Sequence, residues 1–189
     1  MPGPKKRIAV IGSSGSIGTQ TLDVCRKHHD KLDVVGLAVH TRVVELAEQV
    51  REFGVAHAVV GDEALRHDAR LAPLVDVIDG EEAARKTKLG FGMAALLELI
   101  HDPAVDLVVN AMVGAIGLRI SYETLRIGKV LALANKESLV VGGDFIMPYA
   151  THETLMPIDS EHGALYQCLL GEDRDTVTKL WVTASGGPF

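Results

Sequence analysis

Four short polar segments of this 189-residue chain contain residues that could take part in chemistry. In chain order they read GSSGSIG (residues 12–18), ANKESLV (134–140), PIDSEHGALYQ (157–167) and TASGGPF (183–189). Each follows or continues a stretch whose residue types predict a β-strand, and α/β proteins bind ligands at the carboxyl ends of such strands. These segments are therefore the candidates for a functional site.

The first segment places three glycines between a predicted strand and a predicted helix. Glycine there permits a tight turn, a close approach of the backbone to a pyrophosphate and close packing of helix on strand. The amino terminus of the helix favours negative charge, and the hydroxyls of Ser14 and Ser16 could donate further hydrogen bonds. A plain strand-to-helix turn would also suit three glycines, so the interpretation as a nucleotide site depends on the flanking elements.

The second predicted strand ends in the sequence GLAVHTR (residues 36–42). A site that prefers NAD needs an acidic residue there to bind the ribose 2′-hydroxyl, and this stretch has none. Thr41 and Arg42 could instead bind a 2′-phosphate, because a guanidinium offers several donors in one plane. Arg42 could equally be a solvated residue in the first turn of a helix, but the missing acid favours NADP(H).

The acidic residues Asp159 and Glu161 stand two positions apart in a segment predicted to be extended. Residues i and i+2 of a strand share one face, so the repulsion between two carboxylates would be relieved by a divalent cation. A hard cation such as Mg²⁺ or Mn²⁺ takes oxygen ligands of this kind. The alternative is that Asp159 or Ser160 caps the following helix.

Two further segments bring polar groups to strand ends. Asn135, Lys136 and Glu137 follow a predicted buried strand, although Asn135 or Ser138 could simply be a helix cap. Ser185 and the glycines after it offer a hydroxyl and flexible backbone amides suited to a phosphate or a sugar, although they could be no more than a loop.

Short β-branched runs alternate with helical patterns through the first two thirds of the chain. Strands are predicted at residues 8–11, 32–39, 58–60, 107–110 and 130–133, and helices at 19–29, 43–53, 92–101 and 118–127. This alternation predicts an α/β fold, a doubly wound, Rossmann-like parallel sheet with helices on both faces. Residues 62–88 are rich in charge, and we expect a short helix, a short strand at 75–77 and a surface connection there.

The pattern changes near residue 150, where we place a domain boundary. Residues 1–150 are expected to form an NADPH-binding domain, and residues 151–189 the start of a second, catalytic α/β or α+β domain. Around and after the boundary we predict helices at 145–152 and 163–170, an extended segment at 154–158 and a strand at 179–183. The final SGGPF is a loop signal just after a strand, where a domain normally continues, so we expect a longer protein.

The amino-acid composition limits the partners that the protein can bind and the cellular compartment that suits it. The formal net charge of −6 gives no basic field to hold nucleic acid or an anionic membrane. No apolar run reaches the length of a signal peptide core or a membrane span. Cys25 and Cys168 are far apart and form no CxxC pair, which favours a reducing compartment. We therefore expect a cytoplasmic protein.

Taken together, the four segments resemble the 1-deoxy-D-xylulose 5-phosphate reductoisomerase family, in this order and at these separations, over the whole chain. The resemblance implies an enzyme that uses NADPH and Mg²⁺ or Mn²⁺. It implies rearrangement of 1-deoxy-D-xylulose 5-phosphate by retroaldol and aldol steps, then hydride transfer to give 2-C-methyl-D-erythritol 4-phosphate for isoprenoid synthesis. It also implies a homodimer when the protein is full length.

The resemblance also implies residue roles. The nucleotide would be bound by Ser14, Gly15, Ser16 and Ile17 of the glycine loop, with Asn135 and Glu137 beside it. The family often has Gly-Lys-Asn where this chain has His40, Thr41 and Arg42, so the resemblance does not itself support a 2′-phosphate contact by Arg42.

For the substrate and metal, the resemblance implies that Lys136 and Glu161 act in catalysis and contact the sugar phosphate. Asp159 and Glu161 would be metal ligands, and Ser160 and Ser185 would contact the substrate, Ser185 at its phosphate. A third metal carboxylate, a lid and a carboxyl-terminal helical domain of the family have no counterpart in these 189 residues.

Two other hypotheses remain open on the sequence. An oxidoreductase of the aspartate-semialdehyde dehydrogenase type would need a nucleophilic cysteine in a loop, whereas Cys25 and Cys168 lie in predicted helices. A non-catalytic NADPH-binding module would not need the pair Asp159 and Glu161.

Overall fold

The computed structural model describes residues 3–80, 85–112 and 114–183. The strands of the described part are β1 (Lys6–Ile11), β2 (Leu32–Val39), β3 (His57–Val60), β4 (Lys88–Phe91), β5 (Leu107–Asn110), β6 (Val130–Leu133) and β7 (Leu155–Pro157). The α-helices are α1 (Ser16–Lys27), α2 (Val43–Phe53), α3 (Ala72–Asp79), α4 (Gly92–His101), α5 (Ala115–Arg126), α6 (Glu137–Ile146) and α7 (Ser160–Leu169). Short 3₁₀ turns precede α3 and follow α6 and α7.

All seven strands form one parallel sheet in the order β4-β3-β2-β1-β5-β6-β7. Alternate residues of β1 face opposite layers: Ile8 and Val10 pack with α1 to α3, whereas Ala9 and Ile11 pack with α4 and α5. Burial on both faces explains the continuous Val, Leu, Ile and Ala runs of the strands. The expected doubly wound α/β fold is confirmed.

The chain order reverses at β1, because β2 to β4 lie on one side of it and β5 to β7 on the other. In open parallel sheets the crevice at this reversal, outside the carboxyl ends of the strands, is where ligands bind. The fold therefore brings the loop after β1 beside the loop after β5.

Several sequence predictions match the structure residue for residue, among them the strands at 32–39, 107–110 and 130–133 and the helices at 43–53 and 92–101. The predicted strand at residues 75–77 is wrong, because these residues lie in α3. Leu74 is buried there, with Val77 and Ile78 packed against the same core, which is helical spacing. The prediction also missed β4, which pairs with β3.

The predicted strand at residues 179–183 is also wrong, since these residues form no regular element. A strand needs a neighbouring strand to bond with, and within the described residues nothing pairs with this segment. Leu180, Trp181 and Val182 are consequently exposed. The predicted helix at 145–152 is largely wrong, because α6 spans Glu137–Ile146 and a 3₁₀ turn covers Met147–Tyr149. The last helix begins earlier than predicted, at Ser160.

The proposed boundary at residue 150 stays a prediction. β7 lies beyond it, yet Leu131 to Leu133 of β6 pair in register with Leu155 to Pro157. The segment after residue 150 therefore begins by completing the first sheet. No helix of the described residues is long and apolar enough to cross a membrane.

Candidate functional site

The glycine loop after β1 is closely packed at two of its three glycines. Gly12 has φ +87°, and a Cβ there would lie 2.9 Å from the carbonyl carbon of Ala111. A Cβ on Gly18 would lie 2.2 Å from the Gly12 carbonyl oxygen. These positions accept no side chain, because the loop after β5 and the first turn of α1 approach the backbone directly.

Gly15, by contrast, faces open space. It is the N-cap residue of α1, and a Cβ on it would meet only the Gly12 carbonyl oxygen, at 3.4 Å. No side chain caps α1, so the amides of its first turn, beginning at Ser16 and Ile17, have no intrahelical acceptor. This is the equipment of a helix amino terminus that receives a phosphate.

Two residues that the sequence analysis missed hold this loop in place. Ser13 is completely buried, its hydroxyl lies 2.7 Å from Gln49 Oε1, and Gln49 Nε2 donates to the Ser13 carbonyl at 3.2 Å. The loop is thereby fastened to α2. Nothing in the sequence distinguishes the buried Ser13 from its neighbours Ser14 and Ser16, which line the open side of the loop.

Arg42 lies at the turn between β2 and α2. It is the N-cap residue of α2, after the end of β2, and its Nη1 donates to the Ser14 carbonyl at 3.2 Å. The exposed guanidinium thus stands beside the glycine loop. No acidic residue lies in the turn between β2 and α2.

Asn135 and Lys136 follow β6, and they differ sharply in exposure. Asn135 is buried, and its Nδ2 donates to the carbonyls of Met112 at 2.6 Å and Gly114 at 3.2 Å. Its Oδ1 accepts from the Ser138 amide at 3.1 Å, in the first turn of α6. Lys136 and Glu137 are exposed at the start of α6.

The acidic pair adopts the alternative geometry and not the extended one. Asp159 is the N-cap of α7, with Oδ1 accepting from the His162 amide at 3.0 Å and Oδ2 lying 3.0 Å from His162 Nδ1. Glu161 lies in the first helical turn. The expectation of two carboxylates on one face of an extended segment is therefore wrong, because the helix begins at Ser160.

The structure nevertheless brings Glu161 to Lys136, with 3.9 Å between Glu161 Oε2 and Lys136 Nζ. The Ser160 hydroxyl donates to Glu161 Oε2 at 2.7 Å. This hydrogen bond, followed by its own backbone amide and the charge of Lys136, holds the pKa of Glu161 below its usual value. Glu161 is therefore an anionic oxygen donor at neutral pH, the kind that a hard cation accepts.

Among the residues that the structure describes, no group of three or more His, Cys, Asp or Glu side chains is placed to hold a metal ion. Asp159 and Glu161 are two carboxylates of suitable chemistry, and Glu161 lies beside Lys136. Ser185, the predicted phosphate contact, lies outside the described residues.

The sheet order, the glycine loop after its central strand and the polar strand ends together define a doubly wound, Rossmann-like α/β protein of the dinucleotide-binding class. The sequence model of 1-deoxy-D-xylulose 5-phosphate reductoisomerase matches residues 8–143, and that of the same enzyme's C-terminal domain matches residues 155–189. The chain belongs to the 1-deoxy-D-xylulose 5-phosphate reductoisomerase family.

Comparison with individual relatives supports the same family. The chain is 42% identical to the 1-deoxy-D-xylulose 5-phosphate reductoisomerase of Lachnospira eligens over 97% of its own length and 46% of the relative's. It is 43% identical to that of Mycobacterium avium over all of its own length and 42% of the relative's. The chain thus spans about half the length of the curated relatives it matches.

Solved structures show the same fold. The Zymomonas mobilis enzyme in complex with NADPH superposes with a TM-score of 0.76 at 32% identity, over 87% of this chain and 41% of that one. A reductoisomerase structure in complex with NADPH, fosmidomycin and magnesium gives a TM-score of 0.74 at 36% identity, over 86% of this chain and 38% of that one.

Proposed function

We propose that this chain is the nucleotide-binding and first catalytic part of an NADPH-dependent reductoisomerase. The reaction would convert 1-deoxy-D-xylulose 5-phosphate to 2-C-methyl-D-erythritol 4-phosphate in isoprenoid biosynthesis. The observation that carries the proposal is the contact between Lys136 and Glu161 in a chain of this family. Lys136 follows the carboxyl end of β6, on the same side of the sheet as the glycine loop after β1.

The NADPH pyrophosphate would lie against the amides at the start of α1, with Ser14, Gly15, Ser16 and Ile17 around it. The open space at Gly15 supports this placement. Arg42 would bind the 2′-phosphate, because its guanidinium already lies against the loop. Glu137, exposed at the start of α6, would lie beside the nucleotide.

Asn135 has a different proposed role from direct cofactor contact. Its amide is saturated by backbone partners on the loop after β5 and on α6. It would therefore act on the cofactor through the loop and helix that it joins.

Asp159 and Glu161 would hold Mg²⁺ or Mn²⁺, with Ser160 and Ser185 binding the sugar phosphate. When bound, the metal supplies Lewis-acid stabilisation of negative charge on substrate oxygens. Lys136 would contribute positive charge to the same oxygens and orient the substrate, a task it can take up when Glu161 turns from it.

We propose a homodimer when the chain is full length, and a phosphorylated sugar as its small-molecule partner. The acidic balance of the chain argues against a nucleic acid partner. Its two cysteines are unpaired, which suits the reducing cytoplasm.

The test is a titration of the purified chain with NADPH and with NADH, followed by nicotinamide fluorescence. We expect saturable binding of NADPH at lower concentration than NADH, because only NADPH offers a 2′-phosphate to Arg42. Equal affinities would contradict the assignment of the 2′-phosphate site, and no binding of either would contradict the nucleotide site as a whole.

A further inference from the structure

The loop after β5 forms the second wall of the nucleotide crevice. Its described residues are Ala111, Met112 and 114–117, here called the crevice loop. It touches the glycine loop at Ala111, whose carbonyl leaves no room for a Cβ on Gly12. It then leads into α5, whose N-cap Gly114 has φ +86° and open space around it, and no side chain caps this helix.

Asn110, the last residue of β5, holds both ends of this loop. It is completely buried. Its Nδ2 donates to the Gly117 carbonyl at 2.8 Å, and its Oδ1 accepts from the Met112 amide at 3.2 Å. The same Nδ2 donates to the hydroxyl of Ser121, one turn along α5, at 2.9 Å, and Ser121 is also completely buried.

The position of Asn110 is unusual for its residue type. The other residues of β5 are the apolar Leu107, Val108 and Val109, as expected for a strand covered on both faces. A buried amide is stable only when its polar atoms are bonded, and a strand end could be filled by an apolar side chain without that requirement. The three bonds of Asn110 therefore specify geometry more than they add stability.

Asn135 completes the arrangement from the neighbouring strand. It bonds the Met112 and Gly114 carbonyls of the crevice loop, and its Nδ2 would lie 2.1 Å from a Cβ on Gly117. Through the Ser138 amide it also fixes the start of α6, which carries Lys136 and Glu137. Two buried amides thus set the crevice loop between the glycine loop and α6.

We propose that Asn110 is a positioning residue for the dinucleotide. Its amide sets the distance of the crevice loop and the start of α5 from the glycine loop, so that the cofactor fits between them. This inference rests on the proposed function, because the cofactor is the nucleotide proposed there.

The test compares Asn110→Ala with a matched control on the same strand, Val109→Ala. Val109 is buried on the opposite face of the sheet, so its truncation also lowers stability but leaves the crevice loop alone. Three quantities are measured: the thermal midpoint, the NADPH dissociation constant with the emission maximum of the bound nicotinamide, and amide hydrogen exchange. A third variant, Ser121→Ala, removes one partner of Asn110 and serves if Asn110→Ala does not fold.

We expect Asn110→Ala to raise the NADPH dissociation constant about tenfold or more, since displacing a binding wall by about 1 Å has effects of this size. Its bound nicotinamide should emit closer to the wavelength of free NADPH. Exchange should quicken in the crevice loop and in residues 137–140 together. Ser121→Ala should change the same quantities less, and Val109→Ala should leave affinity and emission unchanged within about twofold.

A merely structural role for Asn110 would give a different result. If Asn110→Ala and Val109→Ala lost similar stability and showed the same NADPH affinity, emission and exchange, the inference would be overturned. If the unsubstituted chain failed to bind NADPH, the proposed function would fail, and the exchange comparison would still decide about Asn110. Faster exchange confined to the crevice loop and residues 137–140 would support the loop-setting role, and uniform exchange would refute it.

Discussion

Single residues of the glycine loop have two different tasks. Gly12 and Gly18 are glycine because protein backbone occupies the space of their side chains. Gly15 is glycine although the protein leaves that space open, at a φ of −80° that any residue can adopt. Packing within the protein therefore does not demand glycine at position 15, whereas the proposed pyrophosphate contact would.

We predict that Gly15→Val folds normally but binds NADPH and NADH equally poorly, because the new side chain blocks the approach of the pyrophosphate common to both. Gly18→Val should instead lower the thermal midpoint, since it clashes with the loop backbone. Melting curves and fluorescence titrations of both variants check this. Normal cofactor binding by Gly15→Val would mean that the pyrophosphate lies elsewhere.

A second prediction concerns cofactor choice. Arg42→Ala should weaken NADPH by about 10- to 100-fold, the value of hydrogen bonds to a charged group, and leave NADH nearly unchanged. Arg51, exposed at the far end of α2, provides the control, because Arg51→Ala removes the same charge from the same helix. Fluorescence titration with both cofactors measures the effect. A similar loss of NADPH affinity in the two variants would mean that Arg42 acts only through its positive charge and makes no specific contact with the 2′-phosphate.

At the scale of elements, Asp159 is both the cap of α7 and a proposed metal ligand. The two roles separate, since asparagine caps a helix as well as aspartate does, whereas alanine does not. In this chain Asp159→Ala should cost about 1 kcal/mol of unfolding free energy and Asp159→Asn close to none, as urea denaturation would show. NADPH affinity should stay the same in both.

In a longer protein of the family that carries these residues, Asp159→Asn and Glu161→Gln should each abolish turnover, because each removes a charged oxygen from the metal. Steady-state rates at ordinary Mg²⁺ or Mn²⁺ concentrations measure this. Near-normal rates in Asp159→Asn would leave Asp159 as a helix cap alone.

The elements predicted well from the sequence are those in which the order of apolar and polar residues shows directly which residues are buried. β2 and β5 are mostly apolar, with Asp33 and the terminal Asn110 as their polar residues, and α2 has a clear amphipathic pattern. All three were placed to the residue. β4 is short, ends with Gly90 and Phe91 and depends on β3 for its backbone partners, so its pattern is weak. The stretch Lys179 to Thr183 has strand-forming residues, but the sequence of a segment does not show whether another strand will pair with it.

The residues of the candidate site also divide into those that local sequence indicates and those that it does not. Arg42, Gly15 and Lys136 could be found because charge or glycine stands where a strand ends. Ser13, Gln49 and Asn110 could not, since their importance lies in contacts between residues far apart in the chain. The start of α7 was misplaced because a capping aspartate and a metal-binding aspartate look alike in sequence.

For the whole molecule, we predict that the 189-residue chain by itself does not catalyse the reaction. Among its described residues no group of three or more metal-binding side chains is placed to hold a metal. Losing the third carboxylate that the family resemblance implies, from the small set that anchors Mg²⁺, should weaken metal binding greatly. Water reaching an open site would also weaken the electrostatic stabilisation of charge on the substrate. The seven-stranded sheet and the glycine loop both lie within this chain, so NADPH should still bind.

The measurement follows NADPH oxidation at about 340 nm with 1-deoxy-D-xylulose 5-phosphate and Mn²⁺, alongside a fluorescence titration of the same preparation. Binding without turnover is the expected pair of results. Substantial turnover would show that these residues already contain a complete catalytic set.

The pairing of β7 with β6 has a consequence for the nascent polypeptide. β6 is a short, wholly apolar strand, and Leu131 to Leu133 find their outer backbone partners in Leu155 to Pro157. While the chain is being synthesised, that edge stays open until the ribosome has released residue 157, more than twenty residues after β6 itself has emerged. An open apolar edge is a template for strands of other chains, so during this interval of translation the nascent chain is exposed to pairing between molecules.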